Sequence, residues 1–142
     1  MRQHFEVAAR SSGSPEAVFA LLADGAGWSR WAGLLIAHSS WEREGVPAPG
    51  GVGAIRRVGV PPVVGREQIV AYEPPYHLAY TLLSGQPVRD YRADVGLVPD
   101  GTGTRIVWAA SFVPLVPGTG RLLRWWLSTV VGSIARRLAS AV

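Results

Sequence analysis

Residues 77–113 read HLAYTLLSGQPVRDYRADVGLVPDGTGTRIVWAASFV, three alternating runs separated by two turn-forming clusters. Gly85-Gln86-Pro87-Val88 and Pro99-Asp100-Gly101-Thr102-Gly103 hold the residues that reverse a chain, so the runs form consecutive antiparallel strands. With Ser84 opposite Arg89, Leu82 faces Tyr91, Tyr80 faces Ala93 and Leu78 faces Val95. The second turn sets Leu97 against Ile106, Val95 against Trp108, Ala93 against Ala110 and Tyr91 against Phe112. This register gathers the apolar residues on one face and His77, Thr81, Asp90, Arg92 and Asp94 on the other. A slip by one residue would mix the two sets.

Three rows then cross the sheet: Leu78–Val95–Trp108, Tyr80–Ala93–Ala110 and Leu82–Tyr91–Phe112. The alanines make a low floor between aromatic walls. Interiors pack densely, so a side chain from elsewhere, such as Trp126 or Leu127, fills that space, or a ligand does.

Upstream, Glu73-Pro74-Pro75-Tyr76 turns the chain into an earlier strand. Continuing the register puts Ala71, Ile69 and Glu67 on the inner face, with Glu67 beside Leu82. A carboxylate there needs a partner or an outlet to water. A four-residue turn at Gly59–Pro62 would bring Arg56 inward near Gly65, making Arg56 and Glu67 a polar anchor. Otherwise Glu67 stands at a strand end and reaches solvent.

Working outward, residues 3–11 alternate as a first strand. Ser14 caps a helix opened by Pro15 and Glu16, with Val18, Phe19, Leu21 and Leu22 on its apolar side. Asp24-Gly25 ends it, and GWSRWAG reads as a second short helix. Strands are expected at 34–44, 52–59, 63–73, 76–84, 89–98 and 104–113. A helix from Thr119 to Ala139 closes the chain, with Leu123, Leu127, Val130 or Val131, Ile134 and Leu138 at helical spacing. Of the adjacent Trp125 and Trp126, one must be partly exposed or line a cavity mouth. Trp28 and Trp31 are expected to divide between packing on the sheet and capping the pocket rim. PAPGGVGA, residues 47–54, reads as a flexible loop at a pocket entrance. Tandem strands with segregated helices give one α+β domain over 1–142, a curved seven-stranded antiparallel sheet wrapped around the last helix.

Composition narrows the chemistry. The chain has 142 residues, 48% hydrophobic and 17% charged, enough for one real core. It has no cysteine, which removes disulfides, thiolate metal sites and cysteine nucleophiles. All 14 basic residues are arginine, so no lysine forms a Schiff base or serves a phosphate loop. His4, His38 and His77 match no metal-ligand spacing, and no serine sits in a nucleophile elbow. The charge of +4 is dispersed, and the strand aromatics face the helix rather than a basic stripe, which argues against nucleic acid. No metal and no cofactor is expected. No signal core is visible, and the apolar stretch between Arg124 and Arg136 falls short of the ~20 residues of a membrane span. The expectation is a cytoplasmic protein, monomer or homodimer.

The segments LLADGAGWSRWAG, GVGAIRRV, GREQIVAYEPPYHLAYTLLSGQPVRDY and GTRIVWAASFVP, with Asp24-x-x-x-Trp28-x-x-Trp31-Ala32, resemble the START/SRPBCC superfamily. Within it they are similar to the bacterial polyketide cyclase/dehydrase and lipid-transport-like proteins. The resemblance covers nearly the whole chain and implies the helix-grip fold of the birch pollen allergen, with an apolar cavity between sheet and last helix. Aromatase/cyclase members use pocket arginines, tyrosines and tryptophans, parts for which Arg56, Tyr80, Tyr91 and Trp108 are the candidates here, although no sequence motif fixes the correspondence.

The expected function is binding or transport of a hydrophobic small molecule, a lipid, polyketide or aromatic metabolite. Its lining would be Arg56, Glu67, Ile69, Leu78, Tyr80, Leu82, Tyr91, Ala93, Val95, Trp108, Ala110, Phe112, Leu123, Trp126, Leu127 and Val130. The alternative is a cyclase or dehydratase using Glu67 or Tyr91 as acid–base. A third reading uses the last helix, with Trp125, Trp126 and its arginines, on a membrane surface or a protein partner.

Overall fold

A computed structural model describes residues 1–142. The first strand, β1 (Gln3–Ser11), is followed by helix α1 (Pro15–Ala23) and two 3-10 turns, Gly25–Arg30 and Leu34–Ile36. Six strands come next: β2 (His38–Arg43), β3 (Ile55–Val60), β4 (Val63–Glu73), β5 (His77–Ser84), β6 (Val88–Asp100) and β7 (Gly103–Pro114). Helix α2 (Gly120–Ser140) ends the chain. The strands form one curved antiparallel sheet ordered β1-β7-β6-β5-β4-β3-β2. Six consecutive strands make a meander, and β1 closes it at the far edge beside β7.

Local chemistry sets the ends of α1. The Ser14 hydroxyl accepts a hydrogen bond from Ala17 N at 3.2 Å, and Pro15 occupies the first turn. In α2, Leu127, Val131, Ile134, Ala135 and Leu138 are buried, a stripe at helical spacing. Of the pair left open by periodicity, Val131 is buried and Val130 is half-buried. The helix packs chiefly on β1 and β7. Gly132 faces β1, where an added Cβ would sit 3.6 Å from Val7 Cγ1, in ordinary contact. No helix is long and apolar enough to cross a membrane.

Most of the expected register is present. Leu78 pairs with Val95 and Tyr80 with Ala93, then Val95 with Trp108, Ala93 with Ala110 and Leu97 with Ile106. The third row departs from it. The β5–β6 ladder stops at Thr81–Arg92, and β6 bulges between Arg89 and Arg92, where Asp90 takes φ 51°. Tyr91 therefore has no ladder partner, although its ring still stacks on Phe112 at 6.2 Å. A second bulge lies between Ile69 and Ala71. It pairs Ala71 with Ala79 on the outer face and returns Tyr72, opposite Leu78, to the inner one. Ala71 is thus not an inner residue, because one extra residue reverses the alternation.

Three boundaries also differ. Residues 34–36 form a 3-10 turn rather than the start of a strand, since three consecutive apolar residues follow Gly33 at φ 103°. Val60 pairs with Val63, so the β3–β4 connection has two residues, not four. Residues 45–54 fold on themselves, with Val46 bridging Val52. There an added Cβ on Gly51 would stand 2.3 Å from Val46–Pro47 backbone. That crowding makes the loop compact, and none of its residues lines the cavity described next.

Candidate functional site

Because α2 lies over β1 and β7, it leaves the β3–β5 half of the inner face uncovered. A cavity of about 300 Å³ fills that gap. Of its 19 lining residues, 14 are hydrophobic, so transfer from water would drive occupancy. The walls come from β3 (Val58, Gly59, Val60), β4 (Val63, Gly65, Glu67), β5 (Tyr80, Leu82) and Tyr91 of β6. Trp126, Leu127, Val130, Val131 and Ile134 of α2 form the opposite wall. Trp28, Leu35 and Ile36 of the 3-10 turns and Gly85 and Gln86 of the β5–β6 hairpin complete it.

At the polar end, Arg56 and Glu67 are direct partners across the β3–β4 ladder. The shorter turn moves Arg56 from the level of Gly65, which Val58 faces, to that of Glu67. Arg56 Nε donates to Glu67 Oε1 at 2.8 Å. The Arg56 side chain is fully buried, and its guanidinium carbon lies 4.0 Å from the Trp28 ring centre and 4.7 Å from that of Tyr80. These faces stabilise the cation. Its Nη1 and Nη2 have no hydrogen-bond partner. Glu67 is mostly buried and reaches the cavity, so the expectation of a solvated strand end is set aside.

Beside the pair, Trp108 Nε1 donates to the Tyr80 hydroxyl at 3.2 Å, and the Tyr80 and Tyr91 rings are 6.4 Å apart. Burial pushes the Tyr80 phenol well above its usual range, helped by the nearby Tyr91 and the negative charge of Glu67. Burial raises Tyr91 as well, and Glu67 adds to it. Both stay neutral phenols at physiological pH, suited to hydrogen-bonding a ligand oxygen.

Among the residues expected to line the cavity, Glu67, Tyr80, Leu82, Tyr91, Trp126, Leu127 and Val130 do so. Arg56, Ile69, Leu78, Ala93, Val95, Trp108, Ala110, Phe112 and Leu123 do not. All of these except the half-buried Leu123 are buried around the cavity rather than facing it. On β6 and β7 the cause is the helix, which lies on the β1–β7 edge, where aromatic side chains close over the small residues; on β3, Arg56 is covered instead by the Trp28 and Tyr80 rings. Trp28 is central here, donating from Nε1 to Leu22 O at 3.0 Å and meeting Trp108 edge-on at 5.9 Å. Trp31 stands beside Trp28 at 5.2 Å but lines a separate surface depression, not the cavity rim. Periodicity had no way to find Leu35, Ile36 or Gln86, which lie in turns. Gly65, Val131 and Ile134 were within its reach, since they share the inner strand face or the apolar helix stripe.

The match to known proteins follows this geometry. Residues 2–142 fit the family described as polyketide cyclase/dehydrase and lipid transport. The chain belongs to that family, within the START/SRPBCC superfamily. No curated protein sequence matches it significantly. A START superfamily protein from Mycobacterium smegmatis has a similar structure, with TM-score 0.82 and 13% identity over 98% of this chain and 96% of that one. A protein from Thermobifida fusca aligns at TM-score 0.76 and 22% identity, covering 96% of this chain and 93% of the other. Norcoclaurine synthase from Thalictrum flavum, in complex with dopamine and hydroxybenzaldehyde, gives TM-score 0.76 at 12% identity, over 99% and 86% of the respective chains. At such identities these likenesses establish the helix-grip fold alone.

Proposed function

We propose that this protein binds and carries a largely apolar small molecule (a lipid, polyketide or aromatic metabolite) in the β3–β5 cavity. The observation that carries the reading is an apolar cavity of about 300 Å³ ending in an ion pair and two neutral phenols. Every roughly 200 Å² of apolar ligand surface removed from water contributes about 5 kcal/mol. A hydrogen bond to a charged group adds about 1.5–3 kcal/mol and orients the ligand. Glu67, Tyr80 and Tyr91, which line the cavity, are the groups assigned to that orientation, with Arg56 holding Glu67 from behind. A cyclase or dehydratase role is less well supported by the same atoms. Arg56 engages Glu67 at Oε1 and stabilises it as an anion, which weakens it as a base, and the phenols are too weakly acidic to ionise readily.

Gly65 supplies the test. It lines the cavity, its φ is unrestrictive, and an added Cβ would meet only ordinary contacts at 3.5 Å and beyond. Native mass spectrometry of gently purified protein should show a co-purified apolar molecule, and a fluorescent apolar probe should bind and be displaced by it. Gly65→Leu should abolish probe binding while leaving the thermal transition nearly unchanged. Wild-type protein that takes up neither ligand nor probe refutes the carrier reading.

A further inference from the structure

The cavity opens through a rim of exposed apolar side chains. Leu35, Val60, Val63 and Trp126 all line it and are between 40% and 67% exposed. A neighbouring depression shares Leu35, Val130 and Ile134 with the cavity and adds Leu34, 90% exposed, and Arg137. A third shares Ser133 and Arg137 with that one and adds Arg30 and Arg136. One continuous strip of surface thus runs from an apolar mouth to three arginines.

The charge on this strip is uncompensated. Arg30, Arg136 and Arg137 take part in no salt bridge. The only carboxylate in the three linings is Glu67, already paired with Arg56 inside. No Asp or Glu follows Asp100 in the sequence, so α2 carries arginines alone. By contrast, the depression on the outer face of the sheet mixes His4, Glu6, Arg92 and Asp94.

We propose that this strip docks on an anionic lipid bilayer, with Leu34, Leu35, Val63 and Trp126 entering the headgroup boundary and the arginines above it meeting lipid phosphates. Apolar side chains beside unpaired cations, with a tryptophan among them, are the composition that lies in a bilayer interface. Docking in this pose faces the cavity mouth toward the lipid, so an apolar ligand passes between bilayer and cavity without crossing water. The carrier reading gives the docking its use, but the docking is measured on the protein without any ligand.

Co-sedimentation with phosphatidylcholine vesicles, with and without phosphatidylglycerol, tests the idea. Binding should require the anionic lipid, weaken as salt rises, and shift Trp fluorescence to the blue. Each of Arg136→Gln and Arg137→Gln should weaken binding about five-fold. Leu34→Asp, at a position too exposed to disturb folding, should weaken it further. Arg105→Gln, exposed on the opposite face of the sheet, should leave it unchanged. Failure to bind anionic vesicles overturns the proposal. So does an equal loss in Arg105→Gln, which reveals net charge alone, or a dimer dissolved by Leu34→Asp, which makes the rim a self-interface. Gly65→Leu, filled inside but intact at the rim, should still bind vesicles. A protein that binds vesicles yet no apolar probe keeps the docking and loses the carrier reading.

Discussion

Arg56 is a fully buried cation satisfied at only one of its three nitrogens. Two aromatic faces and one carboxylate hold it, and removing the carboxylate leaves a charge in an apolar wall. Deleting one member of a buried pair typically costs about 3–5 kcal/mol, whereas replacing both by apolar residues is near neutral. Glu67→Leu should therefore lower stability by about that amount in chemical denaturation. Arg56→Met with Glu67→Leu should recover most of it and still lose affinity for ligands bearing a hydroxyl that donates to Glu67. If the double variant binds such ligands as the wild type does, the pair has no part in recognition. This pair was legible beforehand because strand alternation and a nearby turn place Arg56 and Glu67 on one face. The turn has two residues rather than the expected four, which sets Arg56 opposite Glu67 instead of near Gly65.

At the scale of elements, the sheet was legible wherever alternation is unbroken and illegible where a bulge intervenes. Val95–Trp108 and Ala93–Ala110 pair as their spacing requires. The extra residues near Val70 and Asp90 have no signature in hydropathy, and they moved Ala71 to the outer face and took Tyr91 out of the ladder. The position of α2 was likewise hidden. Its apolar stripe tells which side it buries, not which strands lie beneath. The space above Ala93 and Ala110 proved to be packed core, with Ala93 fully buried and Ala110 6% exposed. Ala110→Leu should consequently destabilise the fold by about 1–3 kcal/mol through overpacking. Any loss of apolar-probe binding should only follow that unfolding. Selective loss of binding with an unchanged melting temperature would instead return Ala110 to the cavity wall.

Across the whole molecule, the two faces of the sheet do different work, and pH separates them. The inner face keeps its phenols neutral and its one ion pair enclosed. On the outer face His77 joins three strands, its Nδ1 bonded to Glu73 and its Nε2 to Asp94 at 2.8 Å, while Arg92 also grips Asp94. The Glu73 hydrogen bond is the main cause raising the His77 pKa above 6.5, with Asp94 adding to it against a partial desolvation. The Arg92 hydrogen bond, followed by that of His77, holds the Asp94 carboxyl below 3.8. Folded protein thus binds the His77 proton more tightly than unfolded chain does, so the histidine's contribution is complete below pH 6.5 and fades as pH rises through the raised value. Asp94 acts oppositely, contributing above 3.8 and losing its share as pH falls through its lowered value. These groups are 30% and 42% exposed, so solvent screening limits the effect to about 1 kcal/mol or less. Melting temperatures of wild type and His77→Gln should differ most between these limits and converge in mildly alkaline buffer. A difference that persists or grows there would mean that His77 stabilises the sheet as a neutral ring, by packing rather than by charge.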